Sequence, residues 1–462
     1  MQSIRQIGLS MKIDRLPHHD LTNGWTNILK QRQSSPPLTT DIRVDMLVIG
    51  AGAAGLAAAR RAAEIHPNRT VALVEAGRLG DGASARNSGF VIDLPHNVGA
   101  DLDDLDTLKR SLRLARAARQ HLDEMVTINN IECQWSRQGQ LMGARSQSGE
   151  KVLDTFIKGL DLLGETYTDM DGDAVLARTG MKYYRRAIHT PGTVLMQPAA
   201  LVRGLGESLP KNVSFYENTP VLEIDYGSKV IATTKGGKIT ADRCILAVNG
   251  FAPFLDHLKR KIFTIQAFAS MTRALTDDEQ AALGNPQDWG LVPAMAFGGP
   301  TMRYTMDKRI VMRSFWGKRQ TDVVSSGEYR RSRDLQLQQI RDRFPMIQGD
   351  PIMDTWTGQL GLASNFAPGF GKVRENVWSA MIQNGVGMTK GTMSGMLAAD
   401  ALNGIGSQLL EDIKAMGNPE QLPPQPILSM GIWAKVKWWE WSQRAERLSL
   451  IHISEPTRRR GI

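Results

Sequence analysis

Up to residue 43 the apolar and polar positions follow no sustained period, and Pro17, Pro36 and Pro37 interrupt what pattern there is. Residues 1–43 are therefore read as an arm on the surface of the body, anchored at Gly24-Trp25 by burying one indole. From Val44 the texture changes. VDMLVIG is an apolar, β-branched run ending in glycine, AAGLAAARRAAE is rich in helix formers, and RTVALVEAG is a second apolar run containing an acid near its end. Strand, helix and strand within about 35 residues make a βαβ unit, and strands apolar at nearly every position belong to a parallel sheet covered on both faces.

Farther along, Asp101–Thr127 carries Leu and Ala at helical spacing, GQLMGARS predicts a short strand, and KVLDTFIKGLDLLG a second amphipathic helix. QPAALVRGLGESL predicts another helix, while NVSFYENTPVLEID and KVIATTKGGKITADRCILAVNG predict strands joined by glycine turns. MRYTMDKRIVMRSF reads as a hairpin, VWSAMIQNG as a return to sheet, and GMTKGTMSGMLAADALNG as a glycine-studded helix. Segments of the first kind recur in the middle and near the end, so two bodies are woven together. Residues 44–127, 196–254 and 353–404 form one, 128–195 and 255–352 the other, and 405–447 a helical extension.

Composition narrows the class. At about 100 to 200 residues per domain, 462 residues suit two or three domains. Hydrophobic residues at 42% and charged residues at 22% exclude a disordered or coiled-coil chain. With only Cys133 and Cys244 there is no disulfide framework and no zinc cluster, and the histidines lack ligand spacing; a reducing, cytoplasmic setting and two inert core thiols are expected. No stretch has the length of a membrane span, and the first residues lack a signal-peptide core. The charge of +9 is dispersed, 56 basic against 47 acidic residues, and names no nucleic-acid partner. LSLIHISEPTR, from Leu448, reads as a translated sequencing-adapter end, so 448–462 are set aside from the fold as a scar, and Met11 is an alternative start.

Candidate chemistry begins at Gly50-Ala51-Gly52-Ala53-Ala54-Gly55, which fits G-x-G-x-x-G between a predicted strand and helix. The first glycine makes the turn, the second admits a pyrophosphate, and the third lets helix and strand pack closely. The helix N-terminus then offers free N–H groups to phosphate. Glu75, 20 residues after Gly55 and followed by Ala76, stands where an acid binds a ribose hydroxyl. The motif alone leaves NAD and FAD open, and with NAD an ordinary dehydrogenase.

Gly82-Ala83-Ser84-Ala85-Arg86-Asn87-Ser88-Gly89 and Asn384-Gly385-Val386-Gly387-Met388-Thr389-Lys390-Gly391 resemble the paired flavin-binding segments of the D-amino-acid oxidase superfamily. Asn218-Thr219-Pro220-Val221 and the run ending Asn249-Gly250 resemble its central segments, and Arg303-Tyr304 its substrate hairpin. Leu16-Pro17, Gly24-Trp25, Trp356-Thr357-Gly358 and Asn365-Phe366-Ala367-Pro368 lean toward its gamma-glutamylputrescine-type branch. The resemblance, over roughly residues 15–404, implies an α/β (α+β) fold: a Rossmann-like FAD-binding domain interleaved with a mixed-sheet substrate-binding domain. It implies non-covalent FAD, held by the glycine motif, Glu75, Ala76, Ser84, Arg86, Asn87, Ser88, Gly89, Val221, Asn249, Gly250 and the 385–390 segment. The implied reaction is oxidation of a C–N bond in a small amine or amino acid by hydride transfer to the flavin, with oxygen or another acceptor taking the electrons. A flavin-binding module of a tRNA-modifying or noncatalytic protein is the alternative. No catalytic acid or base is assigned. Arg303 is the first candidate to hold a substrate carboxylate, with Tyr304, Trp356, Gln359 and Asn365 near it; Arg313 either reaches the pocket or snorkels outward, and His96 is a loop residue. The terminal GIWAKVKWWEWSQRAERL is expected to dock its tryptophans on the body, with membrane contact as the other reading.

Overall fold

A computed structural model describes residues 10–18, 22–95, 104–295, 299–317, 323–424 and 426–442; His96 and the 448–462 segment lie outside them. The predicted βαβ unit is Ile42–Ile49, Ala53–Ile65 and Val71–Val74. Its strands sit inside a nine-stranded sheet. Ile42–Ile49 lies parallel between Val71–Val74 and Lys238–Leu246, and the parallel set extends to Val213–Tyr216 on one side and Val377–Met381 on the other. The unbroken apolar runs follow from burial on both faces: Met46, Val48 and Leu73 enter one core, Leu47, Ile49 and Val74 a second. At the outer edge Ser10–Lys12, from the arm, adds antiparallel to Glu223–Tyr226.

The second body is an eight-stranded mixed sheet, in which Trp289–Pro293 and Gln140–Ala144 form the parallel pair. The expected hairpin is there, Thr301–Tyr304 against Ile310–Gly317, with Tyr304 opposite Ile310. Residues 353–362, grouped by the sequence pattern with the first body, pair in the second sheet. Strand Ile352–Leu362 runs antiparallel along Phe263–Thr272 over its whole length. The glycine-studded helix, Gly387–Leu402, returns to the first body and crosses Ala53–Ile65.

One further element was not singled out by the sequence pattern, and another departs from it. Helix Ser326–Arg343, capped by Ser325 and Glu328, covers the second sheet with a buried face that includes Ser332, Gln336 and Gln339. On the terminal helix Ile427–Ser442, Trp433, Trp438 and Trp441 are each more than half exposed, so these tryptophans do not dock on the body.

Candidate active site

Close backbone approach builds the site. Gly50 leaves its strand at φ +99, a conformation that favours glycine, while its N–H still donates to the Val74 carbonyl at 2.8 Å. A Cβ on Gly55 would overlap the Gly50 carbonyl oxygen and stand 2.8 Å from its carbon, so helix and turn touch at this glycine. Gly52 caps the helix without a side chain, and the Ala53 N–H is met by Ser84 Oγ at 3.0 Å. The second helix approaches as closely: a Cβ on Gly395 would overlap the Ala54 carbonyl oxygen, and one on Gly391 would sit 3.3 Å from Ala53 Cβ. That crossing brings two N-termini, neither capped by a side chain, to one place. Their positive ends favour an anionic group there.

Both open on a cavity of about 1200 Å³. Of the sequence-derived cofactor residues, Gly50, Gly52, Ala53 and Ala54 border it, as do Glu75, Ala76, Ser84, Arg86, Asn87 and Ser88. Val221, Asn249, Gly250, Gly385, Gly387 and Met388 complete the rim. Gly55 and Gly89 stand behind it and act through packing. Thr389 and Lys390 also lie off the cavity: Thr389 Oγ1 is buried without a protein partner, and burial lowers the Lys390 ammonium below the usual lysine value. Glu75 closes the second strand as expected, its carboxylate accepting from the Ala51 N–H at 2.8 Å and the Gly77 N–H at 3.1 Å.

The 83–89 loop is held from behind by the arm. Trp25, fully buried, donates Nε1 to the Asn87 carbonyl at 2.9 Å, and Trp356 donates Nε1 to the Arg86 carbonyl at 3.0 Å. The two indoles meet edge to face at 6.4 Å. Asn23 Nδ2 reaches the Ala85 carbonyl at 3.1 Å. The Arg86 guanidinium donates to the carbonyls of Asp81, Thr22 and Thr357, so it ties loop to arm and strand. Trp356 is thus a brace for the loop and lies outside the cavity lining.

The substrate candidates separate in the same way. Arg303 is fully buried behind Gly89: its Nη1 donates to the Gly89 and Met196 carbonyls, its guanidinium lies 5.8 Å from the Phe90 ring centre, and burial pulls its pKa down to about 10. It does not border the cavity, because the Gly89-Phe90 backbone stands between. Tyr304 packs against Trp289 at 6.2 Å, on the sheet's other side. Asn365 is exposed, bonded to the Asn418 carbonyl at 2.9 Å. Gln359 does border the cavity, its Oε1 beside Gly250.

Of the two hairpin arginines it is Arg313, and not Arg303, that reaches the cavity. It lies in the cavity wall, donating to Thr301 Oγ1 at 2.6 Å, and burial lowers its pKa to about 10. With Gln140, Met142, Val292, Ala267 and Thr301 it forms part of the second sheet's contribution to the wall, beside Gln359 and its strand neighbours, which strand alternation alone did not single out. Among the described residues the charged or titratable side chains bordering the cavity are Arg15, His18, Glu75, Arg78, Arg86 and Arg313.

A nucleotide cofactor fits this cradle. Gly387 faces open space, and the buried Asn249 Oδ1 and Gln383 Oε1 border the cavity without protein partners, as groups awaiting a polar heterocycle would. A glycine cradle continuous with a mixed second sheet is the architecture of a two-domain oxidoreductase that works through a bound dinucleotide. The chain belongs to the FAD dependent oxidoreductase family, whose family model matches residues 45–401, and FAD is its cofactor. It is 25% identical over 397 residues to a probable oxidoreductase OrdL of Rhizobium meliloti, covering 82% of this chain and 88% of that protein. It is 24% identical over 381 residues to the gamma-glutamylputrescine oxidoreductase of Escherichia coli, covering 79% and 85%. Among solved structures, glycine oxidase from Geobacillus kaustophilus aligns with a TM-score of 0.65 at 18% identity, covering 79% of this chain and 96% of that one. L-proline dehydrogenase from P. horikoshii aligns at 0.63 and 14%, covering 81% and 96%. These two show the fold. Among the described residues no helix is long and apolar enough to cross a membrane.

Proposed function

We propose that the protein oxidises the C–N bond of a small amino acid or carboxylate-bearing amine, giving an imine that water converts to an oxo acid or aldehyde. The observation that carries this reading is Arg313, a desolvated guanidinium in the wall that the second sheet adds to the FAD cavity. A buried guanidinium suits a carboxylate, which it holds by paired, charge-assisted hydrogen bonds. The named activities of the relatives, on gamma-glutamylputrescine, glycine and L-proline, agree with an amine or amino-acid substrate.

Bound FAD supplies the acceptor for a hydride leaving the carbon beside nitrogen. What the chain supplies is position and dryness. Arg313 fixes one end of the substrate, while Met142, Val292 and Ala267 keep water from the other. Burial among apolar side chains favours the neutral amine, the form that can lose hydride. Glu75 is the only carboxylate among the described residues bordering the cavity, and it belongs to the ribose end of the motif. Because the carbon gives up a hydride, no side chain is required to take a proton from it.

Anaerobic addition of a panel of amines and amino acids should bleach the flavin absorbance for at least one carboxylate-bearing member; a panel that leaves it yellow overturns the reading. The flavin itself is expected in the supernatant after acid precipitation, as for non-covalent FAD. Aerobic turnover assayed for hydrogen peroxide distinguishes oxygen from another acceptor. Arg313→Ala should lower kcat/KM for that substrate by about 10- to 100-fold, the worth of a charged hydrogen-bonded pair at roughly 1.5–3 kcal/mol, with flavin content unchanged. Equal loss on a substrate analogue lacking the carboxylate would remove Arg313 from this role.

A further inference from the structure

The helix Ile427–Ser442 has an inner and an outer side. Leu428 and Ile432, half-buried, border the cavity beside Leu422, whose N–H is fixed on the Arg260 carbonyl at 2.7 Å. On the outer side Met430 is 66% exposed, Trp433 55%, Trp438 59% and Trp441 62%. At 3.6 residues per turn these four fall within one arc of about 140°, with Lys437 inside it. Large apolar side chains so concentrated on an exposed face mark a contact surface.

We propose that this face lies in the interface of an anionic lipid bilayer, with the helix parallel to the membrane plane. Tryptophan is the side chain that membrane interfaces select, because its ring is apolar and its N–H reaches water. The charge is complementary: Lys437 lies within the exposed arc, and over residues 427–447 the sequence carries Lys435, Lys437, Arg444 and Arg447 against Glu440 and Glu446. The position favours a bilayer over a second copy of the chain. Ile427, 60% exposed and within the same arc, borders the cavity with Ile13, Leu16 and Pro17 of the arm, so an apolar rim runs on from the exposed face. Branched apolar side chains beside exposed tryptophans and a lysine suit the headgroup and acyl boundary of a bilayer.

The test is independent of the substrate. The full FAD-loaded chain should co-sediment with vesicles of phosphatidylcholine and phosphatidylglycerol at low salt, less at high salt and least with phosphatidylcholine alone. Brominated lipid should quench its tryptophan fluorescence. The variant Met430→Ser/Trp433→Ser/Trp438→Ser should partition about tenfold less or weaker still, in proportion to the apolar area lost, at unchanged flavin content. Three results overturn the proposal: no binding to anionic vesicles at low salt, binding that the triple variant retains in full, or a concentration-dependent dimer that the triple variant abolishes, which assigns the face to a second copy.

Discussion

Gly395→Ala is expected to lose both stability and flavin. The added methyl would overlap the Ala54 carbonyl oxygen and lie 2.8 Å from its carbon and 3.1 Å from Ala54 Cα. Those are backbone atoms of the crossing helix, and they have no rotamer in which to swing aside. Relief requires the helices to move apart, a cost at or above the upper end of the roughly 1–3 kcal/mol usual for overpacking. Gly391, one turn nearer the N-terminus, would follow, since a Cβ there already finds the Ala54 nitrogen at 3.4 Å. Separation at this crossing therefore displaces both helix N-termini that open on the cavity. Thermal unfolding of apo and holo protein, read beside the ratio of flavin to protein absorbance, checks it. Gly387→Ala provides the contrast: its Cβ meets nothing within 4 Å in the protein and borders the cavity, so it should keep the apo stability and weaken only FAD binding. Full flavin occupancy and unaltered unfolding in Gly395→Ala would show that the crossing does not set the site.

What the sequence made legible follows from how local each signal is. The strand, glycine turn, helix and acid at 42–75 are contiguous and each is required by backbone geometry, so they appear where the pattern put them. The second glycine segment was legible for the same reason. Helix Ser326–Arg343 was not, because its buried face carries polar residues: Gln336 Nε2 donates to the Phe268 carbonyl at 2.9 Å, and no apolar stripe betrays the packing. Its capping box, Ser325 with Glu328, was the signal available. Ile352–Leu362 was grouped with its sequence neighbours, whereas its pairing with Phe263–Thr272 is set by distant residues. The two arginines show the limit most plainly. Arg303 and Arg313 lie in one hairpin, and Thr301, the partner of Arg313, borders the cavity while Arg303 is shut behind Gly89. Only the path of the 83–89 loop, which belongs to the other body, distinguishes them.

That loop is also where the arm matters, and Trp25→Ala is expected to show it. The sequence read the arm as anchored by one buried indole; Trp25 is fully buried, and beyond that reading its N–H holds the Asn87 carbonyl at 2.9 Å. Around it Gln197 Nε2 donates to the Trp25 carbonyl at 2.7 Å, and a Cβ on Gly24 would meet the Trp356 ring at 2.8 Å. Farther along, Arg32 forms a two-pronged pair with the buried Glu217 at 2.8 and 2.7 Å. Burial alone would raise the Glu217 carboxyl; Arg32 and the N–H groups of Leu79 and Ser35 outweigh it and hold the pKa below the usual value. The arm is therefore fixed at both ends of the segment that supports the loop, so the cavity left by truncating Trp25 has little freedom to collapse. A loss of about 3–5 kcal/mol is expected, as for other buried Trp→Ala changes. Part of it should appear as flavin release, because Asn87 loses the donor that fixes its backbone; a weakening of FAD binding by about tenfold corresponds to 1.4 kcal/mol. Trp25→Phe keeps most of the volume and removes only the N–H, and should cost about 1 kcal/mol. Flavin release followed by the rise in its fluorescence separates the two contributions. If Trp25→Ala destabilises apo and holo protein equally, with FAD affinity intact, then the arm supports the fold alone and the loop holds its cofactor-facing shape without it.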